Sequence, residues 1–340
     1  MYAQNVVTNG IRYMRKGISF FSGCGGSSLG YKLAGIDIVY ANEFIKKAYE
    51  TYRLNFPNTY VDTRDIREIE AKEILDIIKL KEMMLTGGSP TMPPCASFST
   101  SGKREKHWGK VKSYSDGSQR TDDLFFEYIR MVKGIKPKIF IAENVKGLIQ
   151  GKAKGHFNMF FKEFKKLGYN VKASLLNASY LGVPQARQRV FFIGIRKDLN
   201  KEPVFPKKQK QMTTEHIYNK QYDLEPEVYT KLHDSYKKYL YTLKMGEQPQ
   251  ETFFNLKRNH ILKPSYTITA TYGSGACVVH PYEDRLMSIG ELKDICSFPQ
   301  DFILTGTYMD KAERLGRSVP PVMMMNIVKT LRKAIFDEDT

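Results

Sequence analysis

Cysteine is scarce in this chain. There are four in 340 residues (Cys24, Cys95, Cys277 and Cys296), and no two stand in a C-x-x-C pair. That spacing argues against a zinc site or a redox dithiol, and no metal is expected. No apolar run approaches the ~20 residues that a membrane span needs. The first 17 residues mix Tyr, Asn, Gln and Arg and lack the apolar stretch of a signal peptide, so neither secretion nor a membrane partner is expected. Scattered thiols without such a leader point to a reducing, cytoplasmic setting. No internal repeat recurs at a solenoid period, and tryptophan occurs once, at Trp108. Acidic residues are also few: 36 Asp and Glu face 53 Lys and Arg, for a net charge of +17. An excess of that size attracts polyanions, because each neutralised phosphate releases a condensed counterion. A merely basic soluble protein would look the same on this count.

What is present is alternation. Apolar runs at 18–21, 36–40, 83–86, 139–142 and 190–195 read as buried strands. Amphipathic stretches at 29–34, 46–55, 71–79, 124–134 and 157–167 read as helices between them. This pattern predicts an α/β fold with a doubly wound, mostly parallel sheet. Residues 1–197 are expected to form the catalytic domain. Residues 198–275, rich in Lys, Gln, Tyr and Pro, form a smaller irregular recognition domain whose weakest order lies over 198–262. Residues 276–340 return to the first domain. Regular patterning resumes at 266–271, 288–296 and 322–334. A polar stretch at 97–120 interrupts the alternation and has the length of a lid or binding loop.

Phe21-Ser22-Gly23-Cys24-Gly25-Gly26 follows the first strand and opens a helix. Its glycines permit a tight turn and close backbone approach to a ligand. Glu43, followed by Phe44, lies 17 residues beyond Gly26, near the ~20-residue offset at which an acid reaches adenosine ribose hydroxyls. Asp65, beside Ile66, could accept a hydrogen bond from an adenine amino group. Ser28 stands at the third glycine position of the dinucleotide fingerprint, which counts against a nicotinamide dinucleotide. A glycine turn with no ligand, or a nicotinamide cofactor, would leave the same loop.

Three further signatures sit at strand ends. Gly87-Gly88-Ser89-Pro90-Thr91-Met92-Pro93-Pro94-Cys95 follows one strand, Glu143-Asn144-Val145 follows another, and Gln185-Ala186-Arg187-Gln188-Arg189 precedes a third. Each has a bland reading. A lone cysteine packs as a small hydrophobe, Glu-Asn caps a helix, and Arg-x-Arg is solvated charge. Parallel strand ends converge on one crevice, however, so a thiol, a carboxyl and two guanidinium groups could face one ligand.

In this order the residues resemble the DNA (cytosine-5) methyltransferases. The resemblance runs from about residue 18 to 331 and includes Arg285 to Phe302 and Leu315-Gly316-Arg317-Ser318-Val319-Pro320-Pro321. It implies a class I, Rossmann-like methyltransferase fold, S-adenosyl-methionine as cofactor (S-adenosyl-homocysteine as product) and double-stranded DNA as substrate. Cys95 would be the nucleophile on cytosine carbon 6, Glu143 the donor to ring nitrogen 3, and Arg187 and Arg189 the contacts to the base carbonyl and a phosphate. The cytosine would be flipped from the duplex. Phe21, Gly23, Cys24, Gly25, Gly26, Glu43, Phe44, Asp65, Ile66, Gly88, Leu124, Ser318 and Val319 would line the cofactor. Ser97, Ser99, Lys103, Arg104 and Gln185 would meet DNA, with 97–120 as the mobile catalytic loop. Such proteins are usually monomers and can be accompanied by a cognate restriction endonuclease.

The chain departs from the family pattern in three places. The cysteine loop is about three residues longer than usual, with Ala96 for Gln; Arg317 replaces Asn; and Cys296 and Ser297 occupy a Leu-Gln-Gly-Phe stretch. Three rival readings remain at this point: an RNA cytosine-5 methyltransferase of the same fold, a non-catalytic DNA-binding module, and a nicotinamide oxidoreductase.

Overall fold

The computed structural model describes residues 16–79, 84–87, 111–114, 117–120, 124–151, 154–232, 234–249, 256–273 and 277–336. Its centre is a seven-stranded sheet. The strands are β1 (Lys16–Phe20), β2 (Asp37–Asn42), β3 (Tyr60–Asp62), β4 (Met84–Gly87), β7 (Ile139–Val145), β8 (Tyr169–Asn177) and β9 (Gln188–Arg196), in the spatial order β3-β2-β1-β4-β7-β9-β8. The two short strands β5 (Val111–Tyr114) and β6 (Gly117–Arg120) pair antiparallel as a separate ribbon. The first five strands of the spatial order run parallel, and β9 runs antiparallel to both of its neighbours. The five-strand expectation therefore needs two amendments. Strand β3 is only three residues long, too short for periodicity to reveal. Strand β8 was not expected because its far half is only partly buried, which blurs the period-2 signal of an edge strand.

Alternation along the strands sorts the core into two layers. Ile139, Ile141, Phe191, Ile193 and Ile195 point to one face; Phe140, Ala142, Val190 and Phe192 point to the other. The first face carries α1 (Gly26–Leu33), α2 (Lys46–Asn55) and, near the end of the chain, α11 (Pro321–Phe336). The second carries α3 (Ala71–Ile78), α4 (Leu124–Ile135) and α5 (Lys154–Lys166). Helix α4 shows why: Leu124, Phe125, Tyr128, Ile129, Met131, Val132 and Ile135 are buried, a stripe with the 3.6-residue period.

Between β9 and α11 lie α6 (Glu215–Tyr218), α7 (Glu227–Thr230), α8 (Asp234–Leu240), the parallel pair β10 (Leu256–Arg258) and β11 (Cys277–Val279), α9 (Ile289–Ile295) and α10 (Tyr308–Arg317). Capping boxes start the last two: Ser288 with Glu291, and Thr307 with Asp310. Helix α10 was not expected, because charges outnumber its apolar positions. Residues 266–269, expected to be regular, form neither helix nor strand. The irregular region has no core of its own. Ile217, Val228, Leu232, Tyr236, Leu256 and Ile268 share one continuous cluster with Ile139, Ile193 and Leu315. No helix among the described residues is long and apolar enough to cross a membrane.

Gly194 pairs with Phe140 across β7 and β9, and a methyl group there would lie 2.0 Å from the Phe140 ring. That ring is already packed against Phe164 at 4.3 Å and Tyr169 at 5.1 Å between centroids, so it cannot swing away. Gly194→Ala is therefore expected to destabilise the chain by about 1–3 kcal/mol, read as a lower denaturation midpoint with an unchanged slope.

Candidate active site

A single register row crosses the whole sheet: Asp62, Asn42, Phe20, Gly87, Ala142, Phe192 and Ala173 are successive partners. The residues just beyond that row form one rim. On the parallel strands these are the C-terminal ends, and on β9 the reversed direction brings its first residues to the same rim. The strand order turns about at β1 and β4, which is the switch point where open α/β sheets bind ligands. The glycine loop leaves β1 there. The segment bearing Cys95 leaves β4 between that loop and Glu143.

On the β1–β2 side, Glu43 is the organising group. It lies one residue past β2 and is 4% exposed. Its Oε2 accepts from the Gly23 N–H at 2.7 Å and its Oε1 from the Ile45 N–H at 2.9 Å. Burial pushes its carboxyl above the usual glutamate range; these backbone N–H groups and the nearby Arg314 and Arg317 charges oppose that shift. Each carboxylate oxygen keeps a second lone pair, so the carboxylate can still accept from a ligand hydroxyl. Phe21 is held in the left-handed region at φ 52° and is 7% exposed. Gly25 caps α1 from the same region, at φ 100°.

The C-terminal segment closes this side. A Cβ on Gly26 would lie 2.5 Å from the Val319 carbonyl oxygen, so the glycine serves the close approach of Ser318 and Val319. Ser318 Oγ donates to the Arg314 carbonyl at 2.8 Å and stands 3.0 Å from Cys24 Sγ. The Cys24 thiol is pushed up by burial and packs rather than reacts. Asp65 caps a short 3-10 turn, Ile66–Glu68, accepting from the Arg67 N–H at 3.0 Å and pairing with the Arg67 guanidinium at 2.8 Å. Ile66 is buried, while Phe44 is 37% exposed at the rim.

On the β7–β9 side, Glu143 and Arg189 are diagonal neighbours on adjacent strands, since Glu143 faces Phe191 in register and Arg189 faces Val145. Arg189 Nε lies 2.8 Å from Glu143 Oε1 in an ion pair, and among the described residues neither Glu143 oxygen has a well-aligned hydrogen-bond donor. Glu143 is fully buried. Burial raises its pKa above the usual range, against the pull of the Arg189 and Arg187 charges. A buried carboxyl without a donor is costly. It is the arrangement expected of a group that awaits a ligand.

Some expected site residues sit elsewhere. Arg187 is 1% exposed, and its Nη1 and Nη2 donate to the carbonyls of Ile268 and Gly316 at 2.8 and 2.9 Å. It therefore ties the irregular region and the end of α10 to the sheet, and does not project into the crevice as Arg189 does. Gln185, expected at DNA, is fully buried and donates to the Ile295 carbonyl and Cys296 Sγ at 3.4 and 3.2 Å; that expectation is corrected, because the strand start folds beneath α9. Leu124, expected at the cofactor, is 1% exposed in the α4 core. Gly88, Cys95, Ser97, Ser99, Lys103, Arg104 and Trp108 lie outside the described residues. Sequence reasoning missed Arg314, which is 4% exposed beside Glu43 and Cys24. Its only signal was its place three residues before Arg317 in a helix that went unread.

Comparison with known proteins agrees with this arrangement. The sequence profile of the C-5 cytosine-specific DNA methylases matches residues 15–333. The type II methyltransferase M1.HphI of Haemophilus parahaemolyticus is 30% identical, the match covering 94% of this chain and 87% of that protein. M.HindV of Haemophilus influenzae is also 30% identical, over 95% of this chain and 96% of the other. M.FnuDI of Fusobacterium nucleatum is 42% identical over 54% of this chain, and there the match spans about half of the relative, 47%. In fold, the chain resembles a prophage-encoded DNA modification methyltransferase of E. coli, with a TM-score of 0.73 at 23% identity over 95% of this chain and 99% of that one. It also resembles the Spodoptera frugiperda DNMT2, with a TM-score of 0.67 at 19% identity over 94% and 99%. The order of the signatures along the chain, their meeting at one sheet rim and the span of the profile lead to one statement: the chain belongs to the C-5 cytosine-specific DNA methylase family.

Proposed function

We propose that this chain methylates carbon 5 of a cytosine in a short duplex DNA sequence, as the modification enzyme of a restriction–modification system. The observation that carries this reading is the buried Glu143 carboxyl, beside Arg189 and without a well-aligned hydrogen-bond donor among the described residues, at the rim where β4 ends and the sequence continues towards Cys95. A flipped cytosine would meet both groups there. A Glu143 proton delivered to ring nitrogen 3 makes carbon 6 electrophilic, and Arg189 can donate to the adjacent carbonyl oxygen. The Cys95 thiolate then adds to carbon 6, leaving carbon 5 electron-rich. Loss of the carbon-5 proton to a base, water among the candidates, lets the sulfur leave with its bonding pair. Cys95 is assigned by its motif. The other three thiols are buried with raised pKa values, Cys296 to about 11 and Cys277 to about 12, which makes them poor nucleophiles.

The residues of the β1–β2 rim fit S-adenosyl-methionine. Glu43 would hold the ribose hydroxyls, Phe21 would lie against the adenine with Asp65 and Ile66 at its edge, and Ser318 and Val319 would form the opposite wall. No Lys or Arg stands in the glycine loop, which suits a cofactor without phosphate. When bound, the cofactor supplies the electrophilic methyl group that carbon 5 accepts. Residues 198–275 would choose the target sequence, and the described part of that region packs onto the sheet partly through Arg187.

Cys95→Ala is expected to abolish both methyl transfer and the covalent adduct formed with 5-fluorocytosine duplex in the presence of cofactor. An adduct that survives the change would move the nucleophile elsewhere, and wild-type activity on transfer RNA but not on duplex DNA would replace the substrate. Glu143→Gln is expected to lower kcat by ~10²–10⁴-fold. The pH dependence has a definite sign. The pKa of Glu143 is raised, so its proton-donating form exists below that pKa and is lost above it. The single-turnover rate of the wild type should therefore fall on an alkaline limb beginning above the normal glutamate range, and the residual rate of Glu143→Gln should lack that limb. Glu43→Ala should weaken cofactor binding by about 10–100-fold in calorimetry, the loss of one charge-assisted contact of ~1.5–3 kcal/mol.

A further inference from the structure

The rim opposite the candidate active site is strongly basic. Lys136 and Lys138 stand in the turn from α4 into β7, Lys165 and Lys166 in the last turn of α5, and Arg196 and Lys197 at the end of β9. Backbone contacts hold these turns together. The Arg196 N–H donates to the Lys138 carbonyl at 2.9 Å, Arg196 Nη1 donates to the Lys136 carbonyl at 2.7 Å, and the Lys197 N–H donates to the Gly168 carbonyl at 3.0 Å. Two carboxylates intervene: Asp198, which pairs with Arg196 at 2.7 Å, and Glu163, which pairs with Lys166 at 2.7 Å. Lys136, Lys165 and Lys197 are exposed, and among the described residues no carboxylate lies within 4.0 Å of them.

A lysine or two would suffice to complement the helix dipoles at this end. Lys136 and Lys197 are exposed and lie outside any α-helix, so that account does not cover them. A protein partner fits poorly. No exposed large hydrophobic side chain lies among residues 133–138, 165–169 or 196–198, and lysine is depleted at the apolar centres of protein interfaces. Phosphates fit, since a cluster of mobile ammonium groups binds polyanions without reading sequence. The two rims lie at opposite ends of the strands. Arg189 and Arg196 are seven residues apart on the same strand, which separates the rims by about 23 Å on opposite edges of the sheet.

We propose that this rim is a second, sequence-independent site for duplex DNA. It would hold a neighbouring DNA segment while the first lies in the crevice, so that the protein passes directly between segments. The proposal rests on the reading of the chain as acting on duplex DNA. The test measures dissociation of the full chain from a labelled target duplex while an unlabelled, target-free duplex is added in increasing amounts. Direct transfer makes the wild-type dissociation rate rise several-fold in step with competitor. A variant carrying Lys136→Gln, Lys165→Gln, Lys166→Gln and Lys197→Gln should dissociate at a rate independent of competitor, with kcat and KM on a short target duplex unchanged. The log–log salt dependence for capture of the second duplex should lose about 3–4 units of slope in that variant. A control variant with Lys32, Lys46 and Lys329 changed to Gln, all exposed and on the helices of the other face of the sheet, should behave as wild type. A flat wild-type rate, or equal loss in the control, overturns the proposal. So does acceleration by polyglutamate as strong as by DNA, which would assign the rim to an acidic protein. If no complex forms with any target duplex, the functional reading itself fails, and that outcome is distinct from all of these.

Discussion

The in-register alignment of the parallel strands is the constraint on which the rest depends. One row of partners runs from Asp62 to Ala173 through all seven strands of the central sheet. Because register is set by which side chains face each core layer, a one-residue slip would turn Ile139 and Ile141 out of one layer and Phe140 out of the other. The same slip would turn Glu143 away from Arg189. Core packing thus aims the chemistry: the burial that makes the strands stable also delivers an acid, a guanidinium group, a glycine loop and the root of the cysteine segment to one rim. The reversal of β9 is part of this device. A parallel β9 would present Arg196 at the rim and send Arg189 to the far edge, away from Glu143.

A second level of order comes from backbone carbonyls that lie far apart in sequence. Arg187 reaches Ile268 and Gly316, and Gly26 admits Val319 to within contact of the loop after β1. The cofactor-side rim and the irregular region are therefore tied to the same strand start. A buried arginine whose two terminal nitrogens donate to carbonyls costs less than an unpaired charge and links three segments at once. The Gly316 backbone lies so close to Thr269 that any side chain there would collide with it. The Ser318–Val319 segment, the described part of the irregular region and the sheet are thereby one packed unit.

The electrostatics divide along the same geometry. Burial raises the pKa of both Glu43 and Glu143. They differ in their partners. Glu43 accepts from two backbone N–H groups, whereas Glu143 lies beside the Arg189 guanidinium and, among the described residues, has no well-aligned donor. Two glutamates on one rim can thus take different parts by virtue of their surroundings alone.

Much of this was legible in the chain before any coordinates. Long apolar strands, the periodic helices α2 through α5, and the motif order from Phe21 to Val319 follow from local pattern, because burial and turn chemistry act over a few residues. The positions of Glu43, Glu143 and Arg189 at one rim were readable for the same reason: each stands next to a strand end that the pattern marks. Tertiary structure decided the direction of β9, the pairing of β8, and the separate fates of Arg187, Arg189 and Gln185. Those three lie within five residues of each other, yet one binds carbonyls, one faces an acid and one is buried under α9. Sequence spacing specifies which side of a strand a residue occupies; which distant carbonyl or carboxylate waits on that side depends on packing between segments 46 to 129 residues apart, and no local pattern encodes it.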